Sequence, residues 1–292
     1  MPFHKWLPTA MVAPTPVSAL LHAVAIVKAG VFTVLKVAVY IFGVDFLAET
    51  GASEWLMYVA GFTLMSSSII ALTKDNLKAR LAYSTISQLA YIVLGASLAT
   101  AAGVMGGGLH IAMHAVGKIT LFFCAGAVYV ALHKKKISTM NGIGKQMPFT
   151  MGAFFLGSLC IIGLPPAGGS WSKLYLILGA LEAEKMIFVV VLCVSSLLSI
   201  AYLMPVVYRA FFLPLDPDDH HHDDHGDDDH GSDHGHGAHG ASRGDGFWAN
   251  VNEAPLFCVV PLCLTAVGSL AIFFYTQEIY DLLLPITQVV TK

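Results

Sequence analysis

Long apolar runs separated by short polar breaks dominate the chain, and the runs have the length of membrane crossings. The pattern predicts spans at Thr15–Phe42, Trp55–Thr73, Leu77–Leu98, Leu109–Leu132, Met186–Phe212 and Pro255–Thr276; a bilayer requires roughly 20 apolar residues per helix. One more apolar segment, Pro148–Ala183, is interrupted by GLPPAGGS at Gly163–Ser170. Proline has no N–H to give to a helix, so a break at membrane depth is tolerated only where protein or water re-satisfies the freed groups. A discontinuous helix is therefore expected there. The alternating ten-residue patterns of a membrane barrel are absent. The expected fold class is an all-α membrane protein of about seven transmembrane helices, one of them broken.

Between the spans, the sequence predicts an irregular interfacial lead-in over 1–14, a loop over 44–54 and an uncharged Gly-rich link from Ala99 to Gly108. The tail Gln277–Lys292 reads as an exposed end. In outline the chain should divide into the lead-in, a transmembrane core over 15–212, a polar loop over 213–254, and a last helix with its tail over 255–292.

Composition sharpens this picture. The chain is 56% hydrophobic and 12% charged, against about 25% charged in soluble domains, and its mean hydropathy is +0.69. The net charge of −3 misleads, because eleven of the nineteen acidic residues lie between Asp216 and Glu253. Outside that segment fifteen basic residues face eight acidic ones, a net of +7. Lys5, the turn at 74–80, Lys134–Lys145 and Arg209 fall on one side of a seven-span layout; Asp45, Glu49, Glu54, Glu182 and Glu184 fall on the other with only Lys185. The positive-inside rule then makes the basic side, with the N-terminus and the polar loop, cytoplasmic in a cell inner membrane. Cys124, Cys160, Cys193, Cys258 and Cys263 sit singly in apolar runs, which suits buried fillers and no disulfide framework. No secretory signal pattern is visible at the N-terminus.

The chemistry concentrates in LHIAMHAVGKITLFFCAG, Leu109–Gly126, where His110, His114 and Lys118 recur every four residues. On a helix they share a stripe of roughly 80° along about 12 Å of axis. An ionisable side chain at bilayer depth costs at least ~2.5–3.5 kcal/mol, so three on one face imply a protein-lined, partly wet interior. A proton relay is the favoured reading. A buried structural network and a metal site are the alternatives, the latter weakened because the next residue at this spacing is a lysine rather than a carboxylate or thiol. Lys118 is too deep to snorkel and becomes a proton holder sensitive to neighbouring charge. His22 gains interest from that company, and Lys28 lies near mid-span but off the same ideal face. Lys78 opens a hydroxyl-rich stretch, LAYSTISQLAY, and is a candidate to continue the relay. Lys36 and Arg80 read as interfacial anchors. Lys173 follows the helix break, where half-helix ends aim partial charges into the midplane.

The segment from Asp216 to His239 is dense in Asp and His. Its histidines, His220, His221, His222 and His225 among them, could hold a metal weakly or titrate near neutrality. With nothing apolar to bury, it is expected to be a solvated, disordered loop.

Four long motifs carry a family resemblance: PFHKWLPTAMVAPTPVSALLHAVAIVKAG at Pro2–Gly30, LKARLAYSTISQLAY at Leu77–Tyr91, HIAMHAVGKITLFFCAG at His110–Gly126, and GLPPAGGSWSKLYLI at Gly163–Ile177. Together they resemble the antiporter-like subunits shared by proton-pumping NADH–quinone oxidoreductase and the Mrp-type monovalent cation/proton antiporters. The resemblance covers roughly Pro2–Phe212. It implies an inverted-repeat fold with His22, Lys78, His110, His114 and Lys118 on a central hydrophilic axis. Lys173 would be the terminal lysine towards the extracytoplasmic side. Lys28, in VKAG, looks more like the Mrp-type subunits. In the family the PFHKWLP motif lies in mid-chain, after several helices, so either a separate polypeptide supplies those helices and is an expected partner, or this is a truncated product; other membrane subunits and the bilayer are expected partners in both cases. The expected cargo is H⁺, exchanged for a monovalent cation such as Na⁺. No iron–sulfur or nucleotide-binding motif is present, so no cofactor, no redox or hydrolytic chemistry and no nucleic-acid partner is expected. Two other readings stand beside the antiporter: a proton-pumping subunit of an NADH–quinone oxidoreductase or membrane-bound hydrogenase complex, and a non-pumping scaffold or metal-handling protein acting through its Asp/His loop.

Overall fold

The computed structural model describes residues 6–215 and 251–288, without the side chains of 22, 23, 287 and 288. The Asp/His calls at His220, His221, His222 and His225 therefore lie outside the described residues. After a single turn at Trp6–Ala10, the helices are α1 (Thr15–Phe42), α2 (Val44–Thr50), α3 (Glu54–Thr73), α4 (Leu77–Ser97), α5 (Ala101–Leu132), α6 (Pro148–Ile162), α7 (Gly169–Glu182), α8 (Met186–Phe212), α9 (Leu256–Phe274) and α10 (Thr276–Gln288). Five of them, α1, α3, α5, α8 and α9, are long and apolar enough to cross a membrane. α4 has the length, 21 residues, but carries the hydroxyl-rich stretch. α6 and α7 stand on either side of the break at Gly163–Gly168.

α5 is the hub. It packs against α1, α4, α6, α7, α9 and α10, and half of its most apolar stretch is buried, against 22–39% in the other four apolar spans. It begins at Ala101, so the expected Gly-rich link over Ala99–Gly108 is instead the first two turns of a 32-residue helix. Thr100 caps it by accepting a hydrogen bond from the Gly103 amide at 3.1 Å. The glycines are there for closeness rather than for looseness. A Cβ on Gly103 would stand 2.9 Å from the Gly95 carbonyl oxygen, and one on Gly106 would stand 2.7 Å from the Leu176 nitrogen. Small residues at such crossings let α4, α5 and α7 approach backbone to backbone.

Two further expectations are corrected. Residues 44–54, expected as a loop, contain the short helix α2, whose Val44 and Leu47 are buried beside Leu35 and Val39 of α1. The tail from Gln277 is no free end: Ile279, Tyr280 and Leu283 of α10 pack on Met105, Leu109 and Met113 of α5. Both elements are short and amphipathic, so their apolar positions become informative only when a partner face exists.

At the basic end the connections are tied to one another. Asn76 caps α4 through the Ala79 amide at 3.1 Å. Asp75 accepts from the Ser138 hydroxyl at 2.7 Å and its amide at 3.0 Å. Glu253 accepts from the amides of Phe149 and Thr150 and from the Thr150 hydroxyl, which satisfies the first turn of α6. Arg80 donates to the Lys74 and Tyr202 carbonyls, a cation at the C-terminal end of α3.

Candidate functional site

A line of buried polar side chains runs through the packing around α5. α1 carries a π-helical stretch over Ala19–Ala25; π turns bond i to i+5 and rotate the residues that follow relative to a regular α-helix. Lys28 is thereby turned inward and buried, and its Nζ meets Nδ1 of His114. His22 lies on the same stretch, and its side chain is outside the described residues. Nε2 of His114 is buried without a hydrogen-bond partner among the described residues, an arrangement that costs about 1–3 kcal/mol for a polar group that water would otherwise satisfy.

His110 lies one turn earlier. Its ring is stacked on that of His114, centroids 5.9 Å apart, and on Tyr91, 5.3 Å away. Two unit charges 5.9 Å apart repel by ~3 kcal/mol at an effective dielectric of 20, so the pair holds one added proton more readily than two. Nδ1 of His110 is 2.9 Å from the Ser172 hydroxyl and Nε2 is 3.1 Å from Oε1 of Gln88. With the Gln88 amide in this orientation Oε1 can only accept, so the proton belongs on Nε2 of His110, and the Gln88 amide nitrogen is buried without a partner among the described residues. Ser172 in turn donates to the Gly169 carbonyl at 3.0 Å. With that bond kept, His110 must also donate from Nδ1 and be an imidazolium; with His110 neutral, the Ser172 hydroxyl turns to Nδ1. The serine thus follows the histidine's charge.

Lys118 is fully buried. Its Nζ donates to the Ser84 hydroxyl at 2.7 Å and the Leu81 carbonyl at 3.2 Å. Ser84 continues to the Tyr202 hydroxyl at 2.8 Å, and Tyr202 to Ser199 at 3.0 Å. Lys173, on α7, donates to the Ile162 carbonyl at 2.8 Å and to Ser196 at 3.1 Å, with its Nζ 4.9 Å from the Tyr91 ring centroid. Ile162 is the last residue of α6, so the lysine occupies the carbonyl end of the broken helix, where the helix dipole favours a cation. Gly163 makes room for it: φ is +85°, and a Cβ there would stand 2.7 Å from Cδ of Lys173.

Lys28, His114, His110 and Lys173 are thus joined in one buried line, with Tyr91 between Lys173 and His110; Lys118 is buried one turn beyond His114 on α5, with Ser84 and the Leu81 carbonyl as its hydrogen-bond partners. Lys78 is not in hydrogen-bond contact with that line. Its Nζ donates to the Ala13 carbonyl at 3.2 Å, at the basic end and one turn before Leu81. No carboxylate contacts the line among the described residues, and no group of three metal-ligating side chains forms there. The sequence reading passed over Ser172, Ser196 and Tyr202 as individual residues. Ser195, Ser199 and Tyr202 at i, i+4 and i+7 in the apolar α8 were the available signal.

The family model for the transmembrane region of the NADH:quinone oxidoreductase/Mrp antiporter matches residues 1–199. The chain belongs to this family. Among curated relatives of this antiporter-family chain, NADH-quinone oxidoreductase subunit N of Desulforudis audaxviator (strain MP104C) is 38% identical over 216 residues, 72% of the chain and 42% of the relative. The chain thus spans well under half of that relative's length. Among solved structures, the membrane-bound sulfane sulfur reductase, an archaeal respiratory membrane complex, matches with a TM-score of 0.79 at 24% identity, over 100% of this chain and 53% of the other. The Mrp complex from Dietzia sp. DQ12-45-1b matches with a TM-score of 0.77 at 21% identity, over 99% and 55%. These likenesses establish an antiporter-like membrane fold.

Proposed function

We propose that this chain is a proton-translocating membrane subunit of a multisubunit monovalent cation/proton antiporter. The observation that carries the reading is the meeting of Lys28 from α1 with His114 from α5, which joins two separate helices into one buried row of proton carriers. Protons would pass along Lys173, Tyr91, His110, His114, Lys28 and Lys118 by changes of charge and hydration around the lysines, with no covalent chemistry. His22 and Lys78 would extend the row towards the basic end. That end, with the Asp/His segment, would face the cytoplasm, and the membrane would be the cell inner membrane. Other membrane subunits would complete the assembly, as in the multisubunit complexes that its relatives belong to. Such transporters pair inverted repeats around a midplane site.

The relatives named as NADH-quinone oxidoreductase subunits favour a second reading, in which the same row is driven by a redox partner. Reconstitution of the assembly in vesicles separates the two: a Na⁺ gradient alone drives H⁺ movement in the first, and only quinone reduction does so in the second. Lys118→Ala should abolish either flux while assembly persists; an unchanged flux refutes the row. Deleting 216–239 should leave flux near wild type, whereas a scaffold or metal-handling protein acting through that segment would lose its activity.

A further inference from the structure

Gln88, on α4, is fully buried and holds its amide against His110 with one end used and the other idle. Its Oε1 lies 3.1 Å from Nε2 of His110, and its own Nε2 has no hydrogen-bond partner among the described residues. An idle buried donor is costly, so a second arrangement of the same atoms competes with this one. A half turn of the amide exchanges its oxygen and its nitrogen. The nitrogen then donates to Nε2 of His110, which must carry no proton. The one proton of a neutral His110 sits on Nδ1 and goes to Ser172, 2.9 Å away, and Ser172 keeps its own bond to the Gly169 carbonyl at 3.0 Å. The amide oxygen comes round to the side of the Tyr202 hydroxyl, which can donate to it.

We propose that Gln88 is a positioning residue whose amide sets whether His110 can be charged: oxygen towards the ring admits the imidazolium, and nitrogen towards the ring holds the histidine neutral. In the first orientation both ring N–H groups of a charged His110 are accepted, by Gln88 and by Ser172. In the second, an amide N–H would point at a ring N–H, and the second proton is refused. Stacking on Tyr91 and His114 holds the ring, so the amide is the part that turns. Lys28 on α1, His114 on α5, Tyr91 on α4 and Lys173 on α7 are the other titratable groups around His110. They act on it whichever way the amide stands. The inference rests on the proton row proposed above, in which Gln88 would govern the loading of one station.

Magnetic resonance of isotope-labelled histidine nitrogens, in the full chain within its assembly in membranes, reads the charge of His110 as pH is varied; loss of the signal in His110→Gln assigns it. Gln88→Met keeps the length of the side chain and removes both polar ends, so the midpoint for charging His110 should fall, by roughly tenfold or more in proton affinity. Gln88→Glu offers an acceptor at either oxygen and should raise the midpoint by roughly the same factor. A side chain that merely filled space would not move the midpoint in opposite directions. Proton flux in vesicles should fall roughly tenfold in both variants, because each pins His110 in one state. Midpoints that stay put or move the same way overturn the proposal, and so does wild-type flux in either variant. If Gln88→Glu does not assemble, the midpoint in Gln88→Met decides alone. Failure of the row is read separately: unchanged flux in Lys118→Ala refutes it, while the His110 midpoints still decide what Gln88 does.

Discussion

Nζ of Lys28 is bonded to Nδ1 of His114 across 86 residues of sequence, and each of these groups can hold the proton that the other gives up. An ammonium on Lys28 donates to a neutral His114; an imidazolium donates to a neutral Lys28. Either way one proton sits between the two at the junction of α1 and α5, and under the proposed function loss of either partner would remove the same hand-over.

Lys28→Gln, His114→Gln and the double variant should therefore reduce proton flux by similar factors, with the double loss well short of the product of the two single losses. Residues that act as a unit show this non-additivity. Flux in vesicles, measured with a lumenal pH dye at matched assembly, checks it. Multiplicative losses would show that the two act independently.

Ser172 follows the charge on His110 by turning its hydroxyl between Gly169 and the ring. Ser172→Ala leaves Nδ1 of a charged His110 without its acceptor, a loss of ~1.5–3 kcal/mol for a hydrogen bond to a charged group, or roughly ten- to hundredfold in rate if that state lies on the path. Ser172→Thr keeps the hydroxyl and should restore most of the flux. Wild-type flux in the alanine variant would place His110 off the path.

Gly163 and Gly152 should respond in opposite ways to alanine. At Gly163, φ is +85° and the new Cβ would stand 2.7 Å from Lys173 Cδ; the backbone strain alone is worth about 1–2 kcal/mol, and Lys173 must shift. Gly152 lies inside α6 with nothing within 4 Å of an added Cβ, where alanine should stabilise by roughly 0.5–1 kcal/mol. Thermal melting in detergent reads both, and only Gly163→Ala should also lower flux.

The Asp75 clamp gives a pH signature. The Ser138 hydroxyl that it accepts from holds the Asp75 carboxyl below its usual range, against a smaller opposing effect of burial. A carboxylate whose folded pKa is depressed adds stability above its unfolded pKa of about 3.9, and that stability is lost as pH falls through the folded value. Ser138→Ala should therefore lower the melting temperature near neutral pH and narrow the gap to wild type in acid below the folded value. A gap that is constant with pH would mean that Ser138 acts through packing alone.

Sequence periodicity was sufficient for what one helix does by itself. The apolar runs placed α3, α8 and α9 within a residue or two, because a bilayer-length run of apolar side chains admits few other solutions. The helix break announced itself through Pro165, Pro166 and its glycines, and four-residue spacing put His110, His114 and Lys118 on one stripe. Short amphipathic α2 and α10 escaped, and Gly103, Gly106 and Gly107 read as a link when they are sites of close packing. Glycine marks backbone freedom and backbone proximity with the same letter.

What the amino-acid sequence alone determined was thus the membrane-spanning character, the broken helix and the stripe of titratable groups on α5. Tertiary structure decided who meets whom: Lys28 with His114, Ser172 with His110, Tyr202 with Ser84, and Lys173 with the carbonyl end of α6. The reason is geometric. Spacing within a helix is set by its own 3.6-residue turn, whereas a partner across a helix interface depends on rotation, crossing and the π stretch that turns Lys28 inward, none of which local pattern records.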